Sequence, residues 1–153
     1  MRLEEGWGRA TSLRALLLDT SGASDADNLL HRFYTAEFPR PRIAAMAKLV
    51  DQAAGEGDAV ALEILVRAGR ALADLAEAVR AQLFEPGQDV RVCYLGGVFR
   101  SPIIREHFFD SVENERGNHV APPVYGPAAG ALLEAYRVAG ISCVLSNVPD
   151  EKP

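Results

Sequence analysis

A short apolar strand pattern that ends in two glycines restricts the possible folds of this chain more than any other feature. The stretch "VRVCYLGGVFRSPIIREHF", Val90 to Phe108, predicts a strand, a Gly-Gly turn and a helix with Ser101 at its N-cap. A strand this short and this apolar is typical of a parallel sheet covered on both faces. The stretch therefore predicts an α/β fold, with the turn at the sheet edge where ligands usually bind.

The rest of the chain predicts a helix-rich protein in two stretches. Residues 11–84 carry helical patterns, and residues 89–140 predict the order strand, helix, strand, helix. We expect one domain over 1–140 and a partly ordered polar tail over 141–153. The other predicted elements are helices over Thr11–Asp19, from an N-cap at Ser24, over Pro41–Ala54 and over Ala128–Val138, and a strand over His119–Ala121.

The longest helical pattern starts at Asp58, a good N-cap residue, and runs to about Phe84. Glu63 and Arg67 are four residues apart and are expected to form an ion pair on its outer face. The pattern therefore predicts a core helix. Its apolar stripe consists of Leu62, Leu65, Val66, Gly69, Leu72, Ala76, Val79 and Leu83.

Composition excludes several classes of function. The 153 residues carry a net charge of -5, which argues against nucleic acid and anionic membrane surfaces as partners. Lys48 and Lys152 are the only lysines, so no GxxxxGK[ST] phosphate loop exists in the sequence. No apolar run approaches the roughly 20 residues that cross a bilayer.

Cysteine and histidine usage predicts a reduced, cytoplasmic protein without a metal site. Cys93 and Cys143 make no disulfide framework, and the start of the chain does not look like a signal peptide. His31, His107 and His119 lie far apart, and none has a partner at metal-ligand spacing.

The Gly-Gly turn is the strongest candidate for a binding site. Without a Cβ, Gly96 and Gly97 can adopt a positive φ and let a flat ligand lie against the backbone. The same glycines would also suit a tight strand-to-helix turn that binds nothing, and the residues alone leave both interpretations open.

Two segments around this turn resemble a known superfamily. "YLGGVFRSPIIREHF" and "VAPPVYGPAAGALLEA" resemble the C-terminal part of the acetate and sugar kinase, Hsp70 and actin superfamily. The most similar group includes N-acetylglucosamine kinase and the BadF/BadG/BcrA/BcrD-type ATPases. "FPRPRIAAMAKLVDQAAGEGDAVALEILVRAGRALADLA" resembles the helical insert of that group, and "GWGRATSLRALLL" the segment leading into it.

This resemblance implies a ribonuclease-H-like (actin-like ATPase) C-terminal half with a helical insert, so that 1–140 would be part of a larger ATPase or sugar-kinase domain. It also implies ATP as the cofactor. The residues that would line the adenine and ribose are Gly96, Gly97, Val98 and Phe99, with Gly130 and Ala131 in the closing helix.

Phosphoryl transfer needs groups that hold the phosphates with Mg²⁺ and a carboxylate that accepts the proton of the attacking hydroxyl. In the resembled family these groups precede the segment found here, and none of their motifs occurs in this sequence. No catalytic residue is therefore assigned. We expect binding of ATP or ADP without turnover, with Mg²⁺ and an amino sugar bound only in a complete enzyme.

Two alternatives remain at the level of sequence. The chain could be a non-enzymatic interaction module that forms a homodimer or binds a complementary N-terminal half through apolar residues of its long helix. It could instead be an electron-activating ATPase that shares an iron–sulfur cluster, but Cys93 and Cys143 are not at the positions expected for that role.

Overall fold

Helices dominate the computed structural model, which describes residues 6–35 and 38–146. The strands are β1 (Val90–Cys93) and β2 (Asn118–Ala121), and a 3₁₀ helix spans Gly97–Arg100. The helices are α1 (Leu13–Ser21), α2 (Ala26–Phe33), α3 (Arg40–Ala45), α4 (Ala47–Gly55), α5 (Ala59–Leu83), α6 (Pro102–Glu113) and α7 (Pro127–Val138). Residues 147–153 of the predicted tail lie outside the described residues.

The predicted helix-rich α/β class is confirmed. β1 and β2 form a parallel pair whose register runs from Val90 opposite Asn118 to Cys93 opposite Ala121. α6 connects them, as parallel strands require a crossover. None of the helices in the described ranges is both long and apolar enough to cross a membrane.

The chain divides into two compact units, Met1–Leu72 and Ala73–Pro153. The first unit has an apolar core formed by Leu13, Ala53 and Ala61, which come from α1, α4 and α5. Small alanines at two of these positions allow the helices to approach closely. Half-buried side chains around this core are Leu16, Leu17, Val50, Ala54 and Ile64.

Asp58 joins the starts of α1 and α5 within the first unit. Its Oδ1 accepts hydrogen bonds of 2.9 Å from the backbone N–H groups of Val60 and Ala61, which confirms the predicted N-cap. Its Oδ2 accepts from the Ser12 backbone N–H at 2.6 Å and from the Thr11 hydroxyl at 2.8 Å. The Ala61 amide, followed by the donors at Ser12 and Thr11, holds the pKa of the Asp58 carboxyl well below its usual range.

Two helix boundaries differ from the sequence prediction. The helix expected over Pro41–Ala54 is interrupted at Met46, which ends α3 and precedes α4. Asp25 caps α2 instead of Ser24, because its extended backbone lets Oδ1 accept from the Asn28 N–H at 2.8 Å. The Ser24 hydroxyl supports this cap by donating to Asp25 Oδ2 at 2.8 Å.

The apolar stripe predicted for the long helix is only partly buried. Leu65 and Gly69 are buried, whereas Val79 and Leu83 are exposed. Glu63, expected to pair with Arg67, pairs instead with Arg9. The pairing changed because residues before α1 come close to this face of α5, which sequence spacing within one helix does not show.

In the second unit, α6 packs on β2 and presents Ile104, Phe108 and Val112 to the interior. Ser101 caps α6 as predicted, since its Oγ accepts from the Ile104 N–H at 3.4 Å. The expectation of a strand covered on both faces is wrong for β1, where Val90 is buried but Arg91 and Cys93 are exposed. Within the described residues, the face of β1 that carries Arg91 and Cys93 is therefore open to solvent.

Candidate functional site

A buried arginine in the last turn of α5 connects the segments that lead into the two strands. Arg80 is only 6% exposed, and its Nε donates to Asn118 Oδ1 at 2.7 Å. Its Nη2 donates to the carbonyl oxygens of Gln88 at 2.9 Å and Arg116 at 3.3 Å. Asn118 in turn donates from Nδ2 to the Val112 carbonyl at 3.1 Å. These bonds tie α5, α6 and the beginnings of β1 and β2 together.

The loop before β2 contacts the loop before β1 at a glycine. Gly117 has φ +92°, and a Cβ there would lie 2.5 Å from the Gln88 carbonyl oxygen and 3.0 Å from that of Gly87. The Gly117 carbonyl also accepts from the Val90 N–H at 2.7 Å. Only a residue without a side chain fits this approach, which sets the register of the strand pair.

The predicted nucleotide turn follows β1 with its backbone open. Gly96 has φ +111°, a conformation that favours glycine, and a Cβ added at Gly96 or Gly97 would meet no atom within 4 Å. The chain then forms the 3₁₀ helix, with the Phe99 N–H bonded to the Gly96 carbonyl at 3.2 Å. Gly96, Gly97 and Val98 are exposed, so a flat ligand has room to approach this backbone.

An aromatic cluster lies next to the turn. The ring of Phe99 packs edge-on against Tyr94 and Phe108, with centroids 5.4 and 5.0 Å apart. Tyr94 also contacts Phe109 at 4.9 Å. Phe99 is half-buried and anchors the turn to α6, which is a supporting position that sequence reasoning did not foresee.

The other two predicted site residues lie on α7. Gly130 and Ala131 are both exposed, and a Cβ at Gly130 would meet no atom within 4 Å. Their neighbour Ala129 is the buried residue of this helix. In the described part of the chain, no hydrogen bond joins this pair to the Gly-Gly turn. The Gly-Gly turn and the pair Gly130 and Ala131 are thus both exposed to solvent, without a hydrogen bond between them in the described residues.

The chemistry that this region offers is binding by backbone and shape. Cys93 and Arg100 are exposed beside the turn, and the described residues contain no group of three or more His, Cys, Asp or Glu side chains placed to hold a metal. Both cysteines, Cys93 and Cys143, are free thiols. What the turn itself offers is exposed backbone with open space at Gly96 and Gly97.

Comparison with known proteins gives one assignment. No curated protein matches the sequence. The family model described as the BadF/BadG/BcrA/BcrD ATPase family matches residues 5–135, a range that contains α1 to α6, the strand pair, most of α7 and all six predicted site residues. This match spans most of the sequence, and the chain therefore belongs to the BadF/BadG/BcrA/BcrD ATPase family.

Proposed function

We propose that the chain binds the nucleoside part of ATP or ADP at the turn formed by Gly96, Gly97, Val98 and Phe99. The observation that carries this proposal is the bare, exposed backbone of Gly96 and Gly97, which begins three residues after the end of a parallel strand, in a member of an ATPase family. Gly130 and Ala131 of α7 would lie against the other side of the nucleoside. Their lack of bulk suits such a contact.

The turn would act by fixing the adenine and ribose. A purine ring can lie against glycine backbone without meeting a side chain, and the aromatic cluster under Phe99 keeps that backbone in place. The rigid support reduces the ordering cost of binding. Mg²⁺, when bound with the nucleotide, would neutralise charge on the phosphates.

We further propose that the phosphate-binding turns, the Mg²⁺ site and the catalytic aspartate come from a complementary N-terminal half. The full site would then be that of an N-acetylglucosamine-kinase-like enzyme with a ribonuclease-H-like core. An amino sugar would bind in that complete enzyme only. The sequence resemblance of the helical segments supports this finer assignment.

Calorimetric titration of the chain with ATP, ADP and adenosine tests the proposal. Contacts to the nucleoside alone should give similar, weak dissociation constants for all three, on the order of 0.1–1 mM. Ribose 5-phosphate, which lacks the flat base, is the matched control and should bind more weakly. No heat with any adenine compound would contradict nucleotide binding, and robust turnover in a coupled assay with N-acetylglucosamine would contradict the incomplete site.

A second candidate function is association with another protein surface, either a second copy or the complementary half. In the second unit, Leu75, Val79 and Leu83 follow one another at four-residue spacing along α5 and are 65%, 54% and 69% exposed. An exposed apolar row of this kind marks interaction surfaces. Sedimentation velocity separates the cases: a homodimer predicts concentration-dependent association, and a clean monomer at micromolar concentration contradicts the homodimer.

A further inference from the structure

A cleft of about 490 Å³ opens within the first unit. Residues 7–11, α1, α2 and the first turns of α5 form its walls. Its volume falls in the range of about 300–1,000 Å³ that is typical of small-molecule sites. It has no part in the nucleotide proposal.

The cleft combines an apolar floor with a positively charged rim. The rim carries three arginines, Arg9, Arg14 and Arg67, against the single acid Glu63, a net charge of +2 in a chain whose total is -5. Positive charge concentrated in this way favours an anionic ligand. The apolar residues of the floor are Leu13, Leu17, Leu29, Val60 and Ile64.

One of the rim cations is available to a ligand. Glu63 forms an ion pair with Arg9, so these two charges satisfy each other. Arg67 is exposed and forms no ion pair with any residue of the described ranges. Arg14 interacts electrostatically with Asp25. Among the described residues that line the cleft, Arg67 therefore offers the guanidinium for a ligand, and one guanidinium suits a single carboxylate better than the several charges of a polyphosphate.

We propose that this cleft binds a small amphiphile with one anionic head group and an apolar body. The head group pairs with Arg67, and the apolar body lies on the leucine, valine and isoleucine side chains of the floor. Burial of the body supplies most of the binding free energy, and the guanidinium selects the charge of the head.

The single tryptophan of the chain reports on this site, because Trp7 lines the cleft and is 64% exposed. Decanoate is the probe, with decanol and decylamine as neutral and cationic ligands of the same chain length. We expect decanoate to change Trp7 fluorescence saturably and to bind at least about tenfold more tightly than decylamine. Equal binding of all three, or no saturable change with decanoate, would overturn the proposal.

Arg67→Gln tests the head-group contact, and Arg70→Gln is the matched control because Arg70 is exposed on the same helix and does not line the cleft. Arg67→Gln should weaken decanoate binding by about tenfold and leave decanol binding unchanged. Arg70→Gln should leave both unchanged. The proposal fails if the two variants weaken decanoate equally, or if Arg67→Gln has no effect.

Discussion

The two halves of α5 are buried by different kinds of contact. In the first unit, Ala61 and Leu65 are 0% and 4% exposed and belong to an apolar interior. In the second unit, the apolar row formed by Leu75, Val79 and Leu83 is exposed. The buried residues on this part of α5 are Ala73 and the charged Arg80. The predicted apolar stripe is therefore buried at Leu65 and Gly69 in the first unit and exposed at Val79 and Leu83 in the second.

The difference indicates that the two units are stabilised by different interactions. Apolar helix contacts and the Asp58 caps hold the first unit together. Hydrogen bonds from Arg80 and the close approach at Gly117 hold the strand pair of the second unit, whose sheet has two strands in the described part of the chain. Small sheets of this kind have little stability of their own. Polar and backbone changes should therefore matter most in the second unit.

Gly117→Ala should have the largest effect. The new Cβ would meet the Gln88 carbonyl oxygen and add strain at positive φ, so we expect a loss of about 3 kcal/mol or more in unfolding free energy. Gly87→Ala is the control, because Gly87 has φ +74° with no atom within 4 Å of a Cβ, and should cost about 1 kcal/mol. Urea unfolding followed by circular dichroism measures both. Equal losses would show that the loop contact does not set the strand register.

Arg80→Ala should have the next largest effect. It leaves the Asn118 side chain and the Gln88 carbonyl without their buried donor, which should cost about 2–4 kcal/mol. Arg105→Ala, at an exposed position on α6, should cost less than about 0.5 kcal/mol. Hydrogen exchange should show faster exchange of β1 and β2 amides in Arg80→Ala only. Unchanged protection of the strands would contradict the proposed connection.

Asp58→Asn should lower the stability of the first unit in a pH-dependent way. Because the folded state holds the Asp58 pKa below its usual value, the ionised carboxylate contributes stability fully above about pH 4 and loses this contribution as pH falls toward the folded pKa. The difference in unfolding midpoint between wild type and variant should shrink from about pH 7 to about pH 3.

Asp19→Asn, which changes an exposed carboxylate of α1, provides the control for Asp58. Its difference from wild type should stay small at both pH values. If the difference in unfolding midpoint between wild type and Asp58→Asn is the same at about pH 7 and about pH 3, the caps made by Asp58 do not depend on the charge of its carboxylate.

Leu75→Ala should have the smallest effect on stability, below about 0.5 kcal/mol, because this side chain is already exposed. Leu65→Ala removes a buried side chain of the same kind from the same helix and should cost about 2–4 kcal/mol. Chemical unfolding of the two variants compares the halves of α5 directly. A large loss for Leu75→Ala would mean that the apolar row is covered in solution.

Local sequence signals predicted those parts of the fold that depend on neighbouring residues. Asp58 and Ser101 were identified as N-caps because a cap bonds to amides two or three residues away. The interruption at Met46 and the burial of Arg80 were not predicted. The burial of Arg80 depends on Asn118 and Arg116, which are distant from it in sequence.

The same distinction applies to the candidate site. The strand, the glycine turn and its open backbone could be predicted, because two glycines after a strand pattern indicate a turn from the local sequence alone. The position of Phe99 in an aromatic cluster and the requirement for Gly117 could not, since each depends on a partner from another element. A glycine just before a predicted strand was the only sequence signal for Gly117.

The most direct test of nucleotide binding is amide-resolved NMR of the wild-type chain and of Gly97→Leu during titration with ADP. Gly97 has no positive φ and a Cβ there meets no atom, so the variant should fold normally while its side chain covers the bare backbone. Gly55→Leu, at an equally open position in α4, is the control. We predict saturable shifts at Gly96–Phe99 and in α7 for wild type and control, and none for Gly97→Leu. Shifts that persist in Gly97→Leu, or that appear elsewhere in the wild type, would contradict binding at this turn.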